Sequence, residues 1–123
     1  MAKRKPQFPA PDYLDPLAAS EWNRIVLLLG DKLTDADLQG LTSLCCAFSR
    51  MVTAQQQLQT QGLTVMSAKT GWPAPNPLIS IVNSASETVR QLSKEYGLTP
   101  ASRRRMKQAD DQANAIKRND LIR

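Results

Sequence analysis

The chain contains no histidine. That removes the most frequent general base and the commonest metal-ligating side chain together. Its two cysteines, Cys45 and Cys46, are adjacent. They are too close for ordinary disulfide geometry with each other and lack the spacing of a zinc site. They fall within an apolar helical pattern and read as reduced core residues, in keeping with a reducing, cytoplasmic setting. No apolar run approaches the roughly 20 residues that a bilayer-spanning helix needs. Lys3-Arg4-Lys5 is followed by Pro6, not by an apolar stretch, so the start does not read as a signal peptide. Together these absences describe a soluble intracellular chain with no metal, no cofactor and no membrane segment.

Catalytic constellations are missing as well. An enzyme needs a nucleophile, an acid/base pair or a metal cluster. Here the carboxylates stand at helix starts, where capping explains them. Asp110-Asp111 is the one acidic pair elsewhere, and adjacent helical residues diverge. No serine sits in a nucleophile turn. The chain reads as a binding protein, with neither catalysis nor a small-molecule substrate.

What is present is positive charge, and it is unevenly placed. Sixteen Lys+Arg against eleven Asp+Glu give 123 residues a net charge of +5. Residues 1–5 carry +3 and residues 101–123 carry +4, so residues 6–100 carry −2. Basic ends on a slightly acidic body commonly meet nucleic acid or an acidic protein surface.

The pattern predicts an all-α fold of about four helices, with a helix-turn-helix-like N-terminal pair. Residues 1–14, basic and then rich in proline, read as a flexible arm. Asp15-Pro16 starts the first helix, whose apolar face is Leu17, Ala18, Trp22, Ile25, Val26 and Leu29, with Trp22 a core anchor. Gly30 ends it, and the short Asp31-Lys32 corner leads to a second helix capped by Thr34. Leu38, Leu41, Leu44 or Cys45, Phe48, Val52 and Leu58 continue an apolar stripe to Gly62. Two helices so joined fit a helix-turn-helix or any αα-hairpin. A short hairpin or ordered loop near 63–75 follows, with Trp72-Pro73-Ala74-Pro75 too rich in proline for a central strand. Lys69-Thr70 lacks the glycines of a phosphate loop.

Asn76-Pro77 opens a long third helix carrying Leu78, Ile81, Val82, Ala85, Val89, Leu92 and Tyr96. Gly97 stops it, Thr99 caps a fourth helix and Pro100 takes its first position. That last helix opens with Arg103, Arg104 and Arg105, fanned by about 100° each, so they cannot all be buried. Its apolar stripe of Met106, Ala109, Ala113 and Ile116 is too thin to hold an isolated helix and needs a neighbour. The candidate DNA-binding residues are therefore Lys3, Arg4, Lys5, Arg103, Arg104, Arg105 and Lys107. Base-reading residue types on the second helix add Gln39, Thr42, Ser43 and Arg50. The rival reading of Arg103 to Arg105 is a solvated face or partners of acidic groups within the domain.

In its ordered motifs the chain resembles the phage terminase small-subunit family over about residues 9 to 106. The motifs are Trp22, then Leu33-Thr34-Asp35-Ala36-Asp37, Gly62, Gly71, Asn76-Pro77, Gly97-Leu98-Thr99-Pro100 and Ser102-Arg103. The resemblance implies a non-catalytic subunit of a viral packaging motor, acting in the cytoplasm of the infected bacterial host. Such a subunit forms a ring-like homo-oligomer, binds double-stranded viral DNA at the packaging start, and presents it to the large ATPase/nuclease subunit. Trp22, Thr34, Pro77, Gly97, Thr99 and Pro100 carry over as caps and core. The organisation expected is an arm at 1–14, a helical core and oligomerisation domain at 15–106, and a basic C-terminal helix at 107–123. Two rival readings remain: an adaptor docking through its last helix, and a small helix-turn-helix regulator, which would be a dimer on a palindromic site.

Overall fold

The computed structural model describes residues 8–122. Helices carry nearly all of its regular structure, in keeping with the all-α expectation, and one small hairpin interrupts them. Helix α1 spans Pro16–Leu29, and 3-10 turns follow at Gly30–Lys32 and Asp35–Asp37. Helix α2 is Leu38–Gln61, strands β1 and β2 are Thr64–Met66 and Pro73–Pro75, α3 is Leu78–Glu95 and α4 is Pro100–Ile122. The residues cluster into two compact units, one ending at Val89 and the other beginning at Arg90, inside α3. No helix among the described residues is long and apolar enough to cross a membrane.

In the first unit, α1 begins where its cap lies. Asp15 Oδ1 accepts the Ala18 N–H at 2.9 Å, and Pro16 takes the first helical position, where a missing N–H costs nothing. Ala18, Trp22, Ile25 and Val26 are buried, as their spacing predicts. Leu17 is 38% exposed, so the buried stripe is narrower than the sequence pattern. Ser49 Oγ, midway along α2, donates to both oxygens of Asp15 at 2.7 and 2.8 Å. The other end of α1 reaches α2 through residues 30–37, so the two helices run antiparallel.

That connection is longer than the Asp31-Lys32 corner implies. Thr34 does cap, but it caps a 3-10 turn: its N–H and its hydroxyl donate to Asp37 Oδ2 at 2.9 and 3.1 Å. The α-helix therefore starts only at Leu38. Its buried residues Leu41, Leu44, Cys45, Ala47, Ala54 and Leu58 face the core, and each fully buried leucine contributes about 1.5–3 kcal/mol. Glu21 is buried on α1 and is held by the Arg24 guanidinium one turn on. Cys45 is buried, and burial first, then the nearby Glu21 carboxylate, pushes its thiol up to about 12.

Residues 8–14, within the expected arm, are fastened to this pair by a hydrogen bond: Trp22 Nε1 donates to the Phe8 carbonyl at 3.0 Å. Lys3, Arg4 and Lys5 lie outside the described residues.

The region left open between hairpin and loop is a hairpin. β1 and β2 pair antiparallel with Thr64 opposite Pro75, Val65 opposite Ala74 and Met66 opposite Pro73. Asn76, only 3% exposed, anchors its base. The Asn76 amide donates to Gln61 Oε1 at 3.2 Å and to the Gly62 carbonyl at 2.9 Å. Its Oδ1 accepts the Leu78 N–H at 3.0 Å, which is the α3 cap read from Asn76-Pro77. One buried side chain thus joins the end of α2 to the start of α3.

Candidate nucleic-acid interface

The second unit is built on the corner between α3 and α4. The Leu98 N–H donates to the Ser93 carbonyl at 2.9 Å and the Gly97 N–H to the Lys94 carbonyl at 3.4 Å. These two bonds make a Schellman ending, which requires the left-handed backbone that Gly97 supplies at φ 68°. Thr99 and Ser102 then cap α4 reciprocally. Ser102 N–H donates to Thr99 Oγ1 and Thr99 N–H to Ser102 Oγ, both at 3.2 Å. Ser102 is 2% exposed although no apolar pattern would bury it, because its hydroxyl is consumed by this exchange. The motif that carries the sequence resemblance is thus a geometric device that fixes where α4 begins.

What begins there is charge. Arg103, Arg104, Arg105 and Lys107 are all exposed, and none makes an ion pair among the described residues. The reading of these arginines as partners of acidic groups within the domain therefore finds no support in the geometry. At about 100° per residue, Arg103, Arg104 and Lys107 share one face of α4, and Arg118 joins them three turns on. Arg105 turns the other way, into an open cleft of about 420 Å³ with Lys94, Glu95, Ser102, Met106 and Ala109. Glu95 places a carboxylate in that cleft, so the shared face, not the cleft, is the better seat for an anion. Asp111 interrupts that face, and with Asn114, Lys117 and Arg118 it lines a shallow depression.

Lys117 and Arg118 are not among the candidates named from the sequence, though the charge of residues 101–123 includes them. Continuing the 100° projection past Lys107 would have found Arg118. Nothing in the sequence marks Lys94 and Glu95, because their place beside Arg105 depends on the corner.

The arginine cluster is not explained by helix stability. Arg103 closes the first turn of α4, near the positive end of the helix dipole, which does not favour a cation, and Arg104 and Arg105 follow directly. Their mutual repulsion adds to that. An incoming anion would relieve both.

The second-helix candidates form a different kind of surface. Gln39, Ser43 and Arg50 are exposed and lie within about 40° of one another on α2, one stripe along the first unit. Arg50 is the single charged side chain of α2. It lines a cleft of about 210 Å³ with Ser80, Ile81, Ser84, Ala85 and Thr88. Gln39 borders another, of about 330 Å³, with Pro9, Pro11, Tyr13, Trp22, Leu38 and Thr42. The Thr42 hydroxyl is already spent on the Leu38 carbonyl at 2.9 Å.

Charge separates the two surfaces further. Residues 8–89 hold seven acidic and four basic side chains, net −3, whereas residues 90–122 hold four acidic and eight basic, net +4. No group of three or more potential metal ligands occurs among the described residues.

The sequence model of one family, described as phage terminase, small subunit, matches residues 18–113. The match runs from the first turn of α1 through the caps at Thr34, Asn76 and Thr99 to the middle of α4, and includes Arg103, Arg104, Arg105 and Lys107. No curated protein and no solved structure matches the chain.

Proposed function

The chain belongs to the phage terminase small-subunit family, and from that premise we propose that it is the non-catalytic, DNA-recognising part of a viral packaging motor. In this reading it forms a ring-like homo-oligomer in the cytoplasm of the infected host. It binds double-stranded viral DNA at the packaging start, presents it to the large ATPase/nuclease subunit and regulates that subunit. Residues 15–106 serve as helical core and oligomerisation domain, residues 1–14 as a basic arm and residues 107–123 as a basic tail.

The observation that carries DNA binding is the exposed basic face of α4, free of ion pairs and held in place by the Thr99–Ser102 cap. A face of Arg and Lys on a net-positive unit suits phosphates, which fix position without reading sequence. Base reading would fall to the Gln39, Ser43 and Arg50 stripe, whose residue types suit base edges. With one cation on α2 and a net-negative first unit, that stripe would depend on α4 and on Lys3, Arg4 and Lys5 for its attraction to DNA.

Salt dependence of binding tests this. Each phosphate neutralised steepens log K against log salt by about 0.9. Replacing Arg103, Arg104 and Lys107 together by Ala should flatten the slope by up to about 2.7, whereas Arg105→Ala alone should matter less. An unchanged slope in the triple variant would remove α4 as the phosphate-contacting element.

The adaptor reading retains one observation in its favour. Ile116 is 63% exposed on α4, beyond the corner, where a protein partner could cover it. Truncation after Tyr96 separates the two readings: loss of a protein partner with DNA binding intact favours the adaptor. A helix-turn-helix regulator fits less well. The helices of that motif are joined by about 3–4 residues, whereas residues 30–37 and a 24-residue α2 depart from it.

A further inference from the structure

The hairpin has two edges, and the sequence closes only one of them. Asn76 N–H donates to the Leu63 carbonyl at 2.8 Å, and Ser67 N–H to the Trp72 carbonyl at 2.9 Å. Directly bonded pairs alternate along an antiparallel ladder, so Val65 and Ala74 are the bonded pair between them. Two consequences follow. On β2 the outward positions are Pro73 and Pro75, which have no N–H to offer. On β1 the outward positions are Thr64 and Met66, each with an N–H and a carbonyl directed away from β2. No hydrogen bond among the described residues engages them. Proline is one of the ordinary means of blocking a sheet edge, and it stands on β2 alone.

The surroundings of the open edge are apolar and uncharged. Leu63 and Met66 are each 67% exposed and Trp72 is 74% exposed. Between Arg50 and Glu87 the only charged residue is Lys69, in a chain that is 22% charged overall. Depletion of charge with exposed aromatic and Met side chains is the composition of an interface centre. It also leaves two copies of a net-positive protein with little to repel them here.

We infer that β1 is a self-association edge, at which the β1 strands of two copies pair antiparallel about a twofold axis through Val65. The register is self-complementary. With Val65 opposite Val65 of the second copy, Thr64 of each lies opposite Met66 of the other. The four outward N–H groups and four outward carbonyls can then bond across the axis. β2 cannot be the partner strand, because its outward positions lack donors. The result is a four-stranded sheet, β2-β1-β1-β2, with proline-closed edges on both sides, so growth stops at two copies. The contact is isologous and differs in kind from the head-to-tail contacts that close a ring. It pairs subunits, or pairs rings, and does not depend on the ring reading.

Proline placed on the open edge tests it. Met66→Pro removes an outward donor and leaves the hairpin's own bonded pairs intact, reproducing on β1 what Pro73 does on β2. By light scattering behind a sizing column, the wild-type assembly should hold an even number of subunits, and Met66→Pro should lower its mass by about half. If the ring reading fails and the wild type is a dimer, the variant should be a monomer. A ring whose mass is unchanged by Met66→Pro overturns the edge pairing and leaves the ring reading standing. A monomeric wild type overturns both.

A charge pair guards against a variant that merely misfolds. A chain with Thr64→Glu and Met66→Glu and a chain with Thr64→Lys and Met66→Lys should each fail to pair alone, because like charges oppose across the axis. Mixed, they should restore the wild-type mass. Failure to recover on mixing, with the hairpin shown folded by circular dichroism, overturns the inference.

Discussion

Replacing Gly97 by Ala should loosen α4 from its start, and two separable causes contribute. The first is backbone. Gly97 sits at φ 68°, where a side chain costs about 1–2 kcal/mol. The second is contact: a Cβ at this position would lie 2.8 Å from Met106 Sδ and 3.4 Å from its Cε. Because those atoms are the free end of a flexible chain, Met106 can swing away, so the contact adds less than the backbone. The backbone cost alone, about 1–2 kcal/mol, corresponds to about 5- to 30-fold faster amide hydrogen exchange over the first turns of α4, and the contact adds to it. Hydrogen exchange is the right assay, since a melting temperature would average over both units and any assembly. Two further variants divide the causes. Gly97→Asn should exchange more slowly than Gly97→Ala, because Asn tolerates the left-handed region better. Adding Met106→Ala to Gly97→Ala should remove the contact and leave the backbone cost. Exchange in Gly97→Ala equal to wild type would refute the reasoning, and with it the claim that this glycine fixes the start of α4.

Two more outcomes follow from ionisable groups in the first unit. The N–H of Ala18 and the Ser49 hydroxyl hold the Asp15 carboxyl below its ordinary value of 3.8. Its contribution to stability is present above that value and is lost as pH falls through the lower folded one. Asp15→Asn should therefore show a shallower fall in stability below about pH 4 in acid unfolding, and an unchanged profile would contradict the hold of Ala18 and Ser49 on this carboxylate. With its thiol pushed up to about 12, Cys45 should resist iodoacetamide at pH 8 in the folded protein while half-buried Cys46 reacts first, as read by peptide mass mapping. Equal labelling of both would argue against the burial of Cys45.

Local signals in the sequence located the helix starts because the physics there is local. Asp15, Asn76 and Thr99 each bond a backbone N–H two or three residues on, and proline follows each of them. The start of α2 was misplaced for an equally local reason. Thr34 and Asp37 satisfy a capping box whether the turn between them is 3-10 or α, and sequence does not separate those hydrogen-bond spacings. Contacts spanning many residues were not legible at all. Ser49 reaches Asp15 across 34 positions, and the bond from Trp22 to Phe8 ties down a segment that composition alone marks as an arm. The arginines show the same division. That Arg103, Arg104 and Arg105 could not all be buried was readable from helical geometry. That they carry no ion pair, and that Arg105 enters a cleft with Lys94 and Glu95, required the α3–α4 corner.

On the proposed function and the proposed edge pairing, the charge map divides the labour along the chain. Phosphate attraction needs cations, and the described cations free of partners concentrate on α4. Copy-to-copy contact in a net-positive protein needs their absence, and residues 51–86 hold only Lys69. The two requirements conflict on one surface, because cations that draw DNA would also push subunits apart. Placing them on separate stretches removes the conflict. It also fixes how salt should act on each: raising it should weaken DNA binding, which releases counterions, while leaving an uncharged, apolar contact between copies nearly untouched. Assembly that dissolved in salt together with DNA binding would place both on α4 and collapse the division. Assembly that persisted as DNA binding fell would locate the contact between copies away from the arginines.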